Sequence, residues 1–323
     1  MKTVQRWVLS FLSAVLMSAG AIAEDKPAKV SLDWATYNPV GMVLKAKGWL
    51  EEDLGQDGIA VEWTRSVGGN QSIGLINSGK IHFASTAGSA ALVGKLDGAP
   101  IKAIYAFSRP EWAALVVPAN SPIRTVADLK GKRIAAARCT DPHLLLVRAL
   151  ADHGVSLNDV NIVIMSHTNG KPAMDSGSVD AWAGLDPMMA QAELDGSGRL
   201  LFRAAHYNTY GLLNVSTSFA KAHPATVRRV LAAYEKARLW SIEHPGDVIA
   251  MLAEASEMPK PVIARQMERT DLSQPVIGTP QRDALIAAGN VLHTLGLVPE
   301  SVKVTDEVDA LIDVSFLPQP AKR

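Results

Sequence analysis

Within the stretch RIAAARCTDPHLLLVR, from Arg133 to Arg148, four residues able to handle an anion fall in one polar bend: Arg138, Cys139, Thr140 and His143. Before the bend lies the short apolar run Ile134–Ala137, which reads as a buried strand. After it, Asp141-Pro142 offers an N-cap carboxylate followed by the proline favoured at the start of a helix. The first helical turn leaves backbone N–H groups without partners at the positive end of the helix dipole, which suits a negatively charged ligand. A cysteine just before a helix start is a small buried side chain in the commoner case and a thiolate-prone one if exposed. His143 is expected to be neutral, because a positive imidazole in the first turn would oppose the dipole; it would hydrogen-bond the ligand or the backbone.

The same strand-to-helix grammar recurs at Val30–Trp34 running into Tyr37, Asn38 and Pro39, and at Val179–Trp182 running into Asp186-Pro187. In an open α/β sheet such turns lie at the carboxyl ends of the strands, where ligands bind. Asp186 is expected mainly to cap its own helix. Thr86, Gly88 and Ser89 begin another helix, the glycine allowing close approach and the hydroxyls and amides donating. Gly68-Gly69-Asn70-Gln71 lacks dinucleotide-motif spacing and reads as a turn opening onto the crevice. Arg109 and Glu111 flank Pro110 near a proposed hinge, where a guanidinium could reach an anion.

Lys2 and Arg6 precede an apolar run from Trp7 to Ala23 that ends in small residues, the pattern of a secretory signal peptide cleaved near Ala23. The chain has 323 residues, with 32 Lys+Arg against 32 Asp+Glu. Losing the leader would remove two basic residues and no acid, so the mature chain stays near neutral and nucleic acid is not an expected partner. Cys139 is the only cysteine, which precludes an intrachain disulfide. No zinc-ligand spacing, Walker loop, HExxH or GxSxG sequence occurs, so neither a metal, a cofactor nor a catalytic group is expected.

Strands and helices alternate from residue 28 onward, which predicts an α/β protein with parallel sheets. The expected order is a leader at 1–23, a first lobe at 24–110, a second lobe at 111–214, a helical part at 215–315 packing mainly on the first lobe, and a polar tail at 316–323. Crossings near 108–113 and 212–217 would form a two-segment hinge. Leu212–Ser216 reads as a returning strand.

Several stretches carry a family likeness. Leu44–Glu52 (LKAKGWLEE), Leu115–Pro122 (LVVPANSP), Val126–Arg133 (VADLKGKR), His143–Leu150 (HLLLVRAL) and Gly177–Trp182 with Asp186-Pro187 resemble the aliphatic-sulfonate-binding periplasmic components of ABC transporters. The resemblance implies the two-lobed class II periplasmic-binding fold. It also implies a monomer in the periplasm that captures a small sulfur-containing anion for an inner-membrane permease with its ATPase, without altering the ligand. Members of that family commonly carry Gly-Ser or Gly-Thr where this chain has Cys139-Thr140, and tryptophan where it has Leu185. Leu32-Asp33-Trp34 resembles the related binders of thiamine pyrimidine precursors. Nitrate, taurine and sulfate-ester binders are also relatives, as is a fungal pyrimidine-synthesising enzyme with a cysteine-rich motif that is missing here.

Overall fold

The computed structural model describes residues 26–317; the expected leader and its cleavage site lie outside the described residues, as does 318–323. In chain order the strands are β1 (Lys29–Trp34), β2 (Ala60–Arg65), β3 (Phe83–Ala87), β4 (Ile101–Pro110), β5 (Ala113–Pro118), β6 (Arg133–Ala136), β7 (Asn161–Ile164), β8 (Ala181–Leu185), β9 (Gly198–Arg203), β10 (Gly211–Ser216) and β11 (Thr270–Asp271). The helices are α1 (Pro39–Lys47), α2 (Trp49–Gly55), α3 (Gly69–Asn77), α4 (Gly88–Leu96), α5 (Asp141–Asp152), α6 (His167–Asp175), α7 (Met188–Leu194), α8 (Thr217–Ala222), α9 (Pro224–Glu243), α10 (Pro245–Ser256), α11 (Lys260–Met267), α12 (Thr279–Thr294) and α13 (Val304–Leu311). Local chemistry explains several boundaries. The segment from Pro39 to Gly55 forms two helices, because Gly48 takes the left-handed conformation (φ 66°) and ends α1. Prolines at Pro224 and Pro245 start α9 and α10, each after a histidine.

The strands form two sheets of matching design. The first has the order β11-β4-β10-β3-β1-β2 and the second β7-β6-β8-β5-β9. In each, three parallel strands (β2, β1, β3 and β7, β6, β8) are followed by one antiparallel strand, β10 or β5. Apolar clusters line both faces of each sheet. Val30, Leu32 and Phe83 meet α1, α9 and α10 on one side of the first sheet, while Ala84, Ala103 and Leu212 meet α3, α4 and α12 on the other. The second sheet has α5 on one face and α6 with α7 on the other. These are two three-layer α/β lobes.

The chain crosses between them twice. The first crossing is Glu111-Trp112, between β4 and β5. The second, expected at 212–217, runs instead over 204–210, because β10 already pairs with β3 and β4 from Gly211 onward. Residues 211–214, assigned to the second lobe from sequence, therefore sit in the first sheet. The expected polar tail is also corrected at its start: Phe316 is 8% exposed, packs on the first-lobe core and lies beneath the Arg228 guanidinium. An aromatic ring of that size is buried wherever a core face is available.

The second crossing presses tightly on α4. A Cβ placed on Gly88 would stand 2.2 Å from the Thr209 carbonyl oxygen, whereas one on Gly74, on the outside of α3, would meet nothing within 4 Å. Gly88→Ala is therefore expected to destabilise the protein by about 1–3 kcal/mol, since backbone must move to relieve the overlap. Gly74→Ala should be neutral or stabilising by about 0.5–1 kcal/mol. Urea unfolding of both variants checks this, and a Gly88→Ala protein as stable as the wild type would be inconsistent with the close crossing.

Candidate functional site

The carboxyl ends of the parallel strands in both sheets carry the turns singled out from sequence. Tyr37 and Ala87 from the first lobe pack against the second-lobe cluster that also receives Leu185, so these two edges meet. The site is built from the helix starts along them, and the decisive question is which of those starts keep free donors.

Two starts are already occupied. At α1, Asn38 is fully buried; its side-chain oxygen accepts the Gly41 amide (2.8 Å) and its nitrogen donates to Ser85 Oγ (2.8 Å). Tyr37 donates its hydroxyl to the Ser85 carbonyl at 2.9 Å, and burial pushes the phenol pKa far up, leaving the half-buried ring as a wall. At α4, the Gly88 amide donates to Tyr210 O (3.0 Å) and the Ser89 amide to Thr209 Oγ1 (2.8 Å). Thr86 is fully buried and accepts from Asn214 Nδ2 (2.9 Å). Sequence reasoning places Asn38, Thr86, Gly88 and Ser89 at the ligand; in the structure the Asn38 and Thr86 side chains and the amides of Gly88 and Ser89 hold the first lobe and the second crossing together, while the buried Ser89 hydroxyl has no hydrogen-bond partner among the described residues.

Three starts remain open. At α3, Gln71 accepts the Val67 amide (2.8 Å), but the amides of Gly69 and Asn70 have no partner among the described residues, and both Asn70 and Gln71 are exposed. At α5 the N-cap is Thr140, not Asp141 as expected. Its hydroxyl donates to the Ala137 carbonyl at 2.6 Å and makes no cap bond, so the amides of Asp141 and His143 are without partners among the described residues. At α7 the amides of Met188 and Met189 are likewise open.

Around the α5 start the geometry is specific. Cys139 is held at φ 61°, the left-handed region that favours glycine. Its side chain is half-buried against the first-lobe cluster. His143 is buried, and its Nδ1 accepts the Cys139 amide at 3.3 Å, which assigns the neutral tautomer protonated on Nε2. Burial, helped by the charge of Arg138, lowers its pKa. Arg138 is exposed and, with His143, lines a groove of about 190 Å³ whose other walls are Ile162, Ile164, Leu295 and Leu297. Arg109 is exposed at the end of β4, with its guanidinium 5.8 Å from the Tyr210 ring centre.

Asp186 caps its helix through the Ala190 amide (2.9 Å), and the Asp186-Pro187 bond is cis. Its charge is met by Arg269, whose Nε and Nη2 lie 2.7 and 3.0 Å from the two carboxylate oxygens; Nη2 also reaches Glu193 at 2.9 Å. This carboxylate is not free to select ligands by charge. Nothing near Asp186 in the sequence points to Arg269, which lies 83 residues away. Nor does sequence reasoning find the hub at Asp33, fully buried and accepting Ser66 and Ser72 hydroxyls (both 2.7 Å) and the Ser85 amide (2.7 Å). A lone acid inside the apolar run of β1 was the available clue. No group of residues fit to hold a metal ion occurs among the described residues.

A profile of the NMT1/THI5-like family matches residues 41–248. The chain belongs to that family. It is 29% identical over 264 residues to a protein of Escherichia coli (strain K12) named as a putative aliphatic sulfonates-binding protein, with 81% of this chain and 82% of that one covered. Among solved structures, the alkanesulfonate-binding protein SsuA from Xanthomonas axonopodis pv. citri, bound to MOPS, superposes with a TM-score of 0.79 at 28% identity, covering 88% of this chain and 98% of that one. The fold is accordingly the two-lobed periplasmic-binding fold. The desulfurization enzyme DszB shares it at 15% identity and a TM-score of 0.67, covering 89% and 97%, so fold alone does not separate binding from catalysis.

Asp186 gives a pH test. Burial outweighs Arg269 and raises its pKa from 3.8 to about 6. Between about pH 4 and 6 the native state then holds a proton that the unfolded state has released, so this group makes the protein less stable as pH rises through that window. In Asp186→Asn, which cannot titrate, that downward slope should be missing. Urea unfolding at pH 4.5 and 6.5 compares the two proteins, and identical slopes would contradict the assignment.

Proposed function

We propose that this chain is the periplasmic solute-binding component of an ABC importer and that it captures an aliphatic sulfonate between its lobes, acting as a monomer and handing the ligand to an inner-membrane permease with its ATPase. The observation that carries the reading is the uncapped first turn of α5, with its free amides beside exposed Arg138 and the aliphatic groove. A sulfonate stays charged at any physiological pH and accepts hydrogen bonds at three oxygens, so backbone amides and one guanidinium satisfy it without any proton transfer. Ile162, Ile164, Leu295 and Leu297 offer the tail a dry wall. Asn70 and Gln71 on α3, and the open amides of α7, are the donors proposed to close on the head from the rest of the cleft, with Arg109 at its hinge end. The sulfonate binding named for the relatives supports the same choice.

Thr140 and Thr86 are not assigned as ligand donors, because the Thr140 proton is engaged by Ala137 and Thr86 is fully buried beside Asn214. Their contribution is to the shape of the turns. Binding of a thiamine pyrimidine precursor rests on the resemblance of Leu32-Asp33-Trp34, but the Asp33 carboxylate is consumed by Ser66, Ser72 and Ser85 and offers no acceptor to a pyrimidine. Catalysis is not part of the proposal.

A thermal-shift panel of alkanesulfonates of rising chain length, taurine, a sulfate ester, nitrate and a pyrimidine tests the reading, since a ligand at about 100 times its Kd stabilises by about 2.7 kcal/mol. Alkanesulfonates should raise the melting temperature, and each added methylene should strengthen binding by up to about 0.8 kcal/mol until the groove is filled. Leu297→Asp should abolish that chain-length gain while leaving the shortest sulfonate little changed. Arg138→Gln should weaken all sulfonates by roughly tenfold, the loss expected for one charge-assisted contact. A panel in which only the uncharged pyrimidine stabilises the protein would sink the proposal.

A further inference from the structure

Asp141 occupies the first turn of α5, yet its carboxylate serves neither as the expected cap nor as a surface charge: the residue is 2% exposed. Oδ2 accepts the Trp112 indole N–H at 2.9 Å and the Thr209 amide at 2.8 Å, and Oδ1 accepts the Thr209 hydroxyl at 2.6 Å. Thr209 Oγ1 in turn accepts the Ser89 amide at the start of α4. Trp112 lies in the first crossing between the lobes and Thr209 in the second. One carboxylate thus grips both crossings and, through Thr209, the first lobe.

We propose that Asp141 is a positioning residue that locks the two crossings into a single hinge and ties that hinge to the first turn of α5. The inference rests on the reading of that turn as part of the ligand site. Two separate connections between lobes could flex independently; a shared acceptor makes them move together. The grip is directional: burial pushes the Asp141 carboxyl up, but the three donors presented by Trp112 and Thr209 favour its ionised form, which only accepts. In a water-poor interior such charge-assisted bonds are strong, and none can be given up without leaving a buried polar group unpaired. Any displacement of the α5 turn as it meets an anion is therefore passed to both crossings, although Asp141 itself need not touch the ligand. An asparagine of nearly the same shape holds the crossings more weakly: its oxygen can take the place of Oδ2, but its NH₂ then faces the Thr209 hydroxyl, which must reverse and accept, and every charge-assisted bond becomes a neutral one.

The test combines small-angle scattering with titration calorimetry on the full mature chain, using butanesulfonate as the probe. Without ligand, Asp141→Asn should show a larger radius of gyration than the wild type. Its butanesulfonate affinity should fall about tenfold, or about 1.4 kcal/mol. Thr209→Val, which deletes one of the three donors, should weaken binding by severalfold in the wild-type background and by nothing further in Asp141→Asn, the non-additivity expected of groups acting as one unit. A lower melting temperature in Asp141→Asn with scattering and affinity unchanged would reduce the residue to a packing role and overturn the proposal, as would additive effects of the two substitutions. If Asp141→Asn fails to fold, Thr209→Val and Trp112→Phe carry the same measurements, each expected to expand the ligand-free protein and weaken the probe, and unchanged values in both would refute the tie. Should the wild type not bind any sulfonate, the functional proposal falls while the ligand-free scattering still decides whether Asp141 fixes the hinge.

Discussion

Strand β10 is the constraint on which the rest depends. It runs antiparallel between β3 and β4 and fills the centre of the first sheet, pairing with a neighbour on each side, with two register shifts against β4. A sheet cannot leave such a slot open in its interior, and the chain must therefore return from the second lobe before the first is complete. That return fixes where the second crossing lies, presses Thr209 and Tyr210 onto the start of α4, and makes a side chain at position 88 impossible without movement. The connection between the lobes is consequently a packed element with its own hydrogen bonds, in contrast to a loose linker.

The same pressure decides which polar groups remain available to a ligand. Hydroxyls and amides at a helix start look equivalent in sequence, but burial obliges each to find a partner. Asn38, Thr86 and the amide of Ser89 lie within the packed first lobe and are satisfied there. The openings lie at the starts of α3, α5 and α7, whose first amides meet no acceptor among the described residues. Selectivity for an anion then comes mainly from main-chain amides, which no side-chain pattern records.

This difference governs how far the sequence could be read. The alternation of strands and helices, the return near Leu212 and the special bends before Asn38, Thr140 and Asp186 were legible because they rest on local rules of capping and periodicity. The stretch 198–203 was not, since β9 becomes a strand by lying against β5 and carries no strict alternation of its own. Partnerships across long separations were hidden for the same reason. Arg269 with Asp186, and Asp141 with Trp112 and Thr209, are set by how two sheets meet, and nothing in the local sequence around any of those residues names its partner. Cys139 shows the intermediate case: its place in a polar bend before a helix is legible, but only the backbone angle of 61° shows that the position is one that favours glycine.

Helix α5 has two apolar faces rather than one. Leu145, Leu146, Ala149 and Leu150 complete the second-lobe core, while Leu144 and Val147 are buried in the cluster that holds Ile101, Leu212 and Leu285 of the first. An excised second lobe would present that second face to water, and the first lobe would be left with a matching hollow. The lobes are thus separable in geometry but not in stability: one helix belongs to both foldons, so global unfolding is a single cooperative event, and recombination that exchanges one lobe for a relative's must carry a compatible α5 with it.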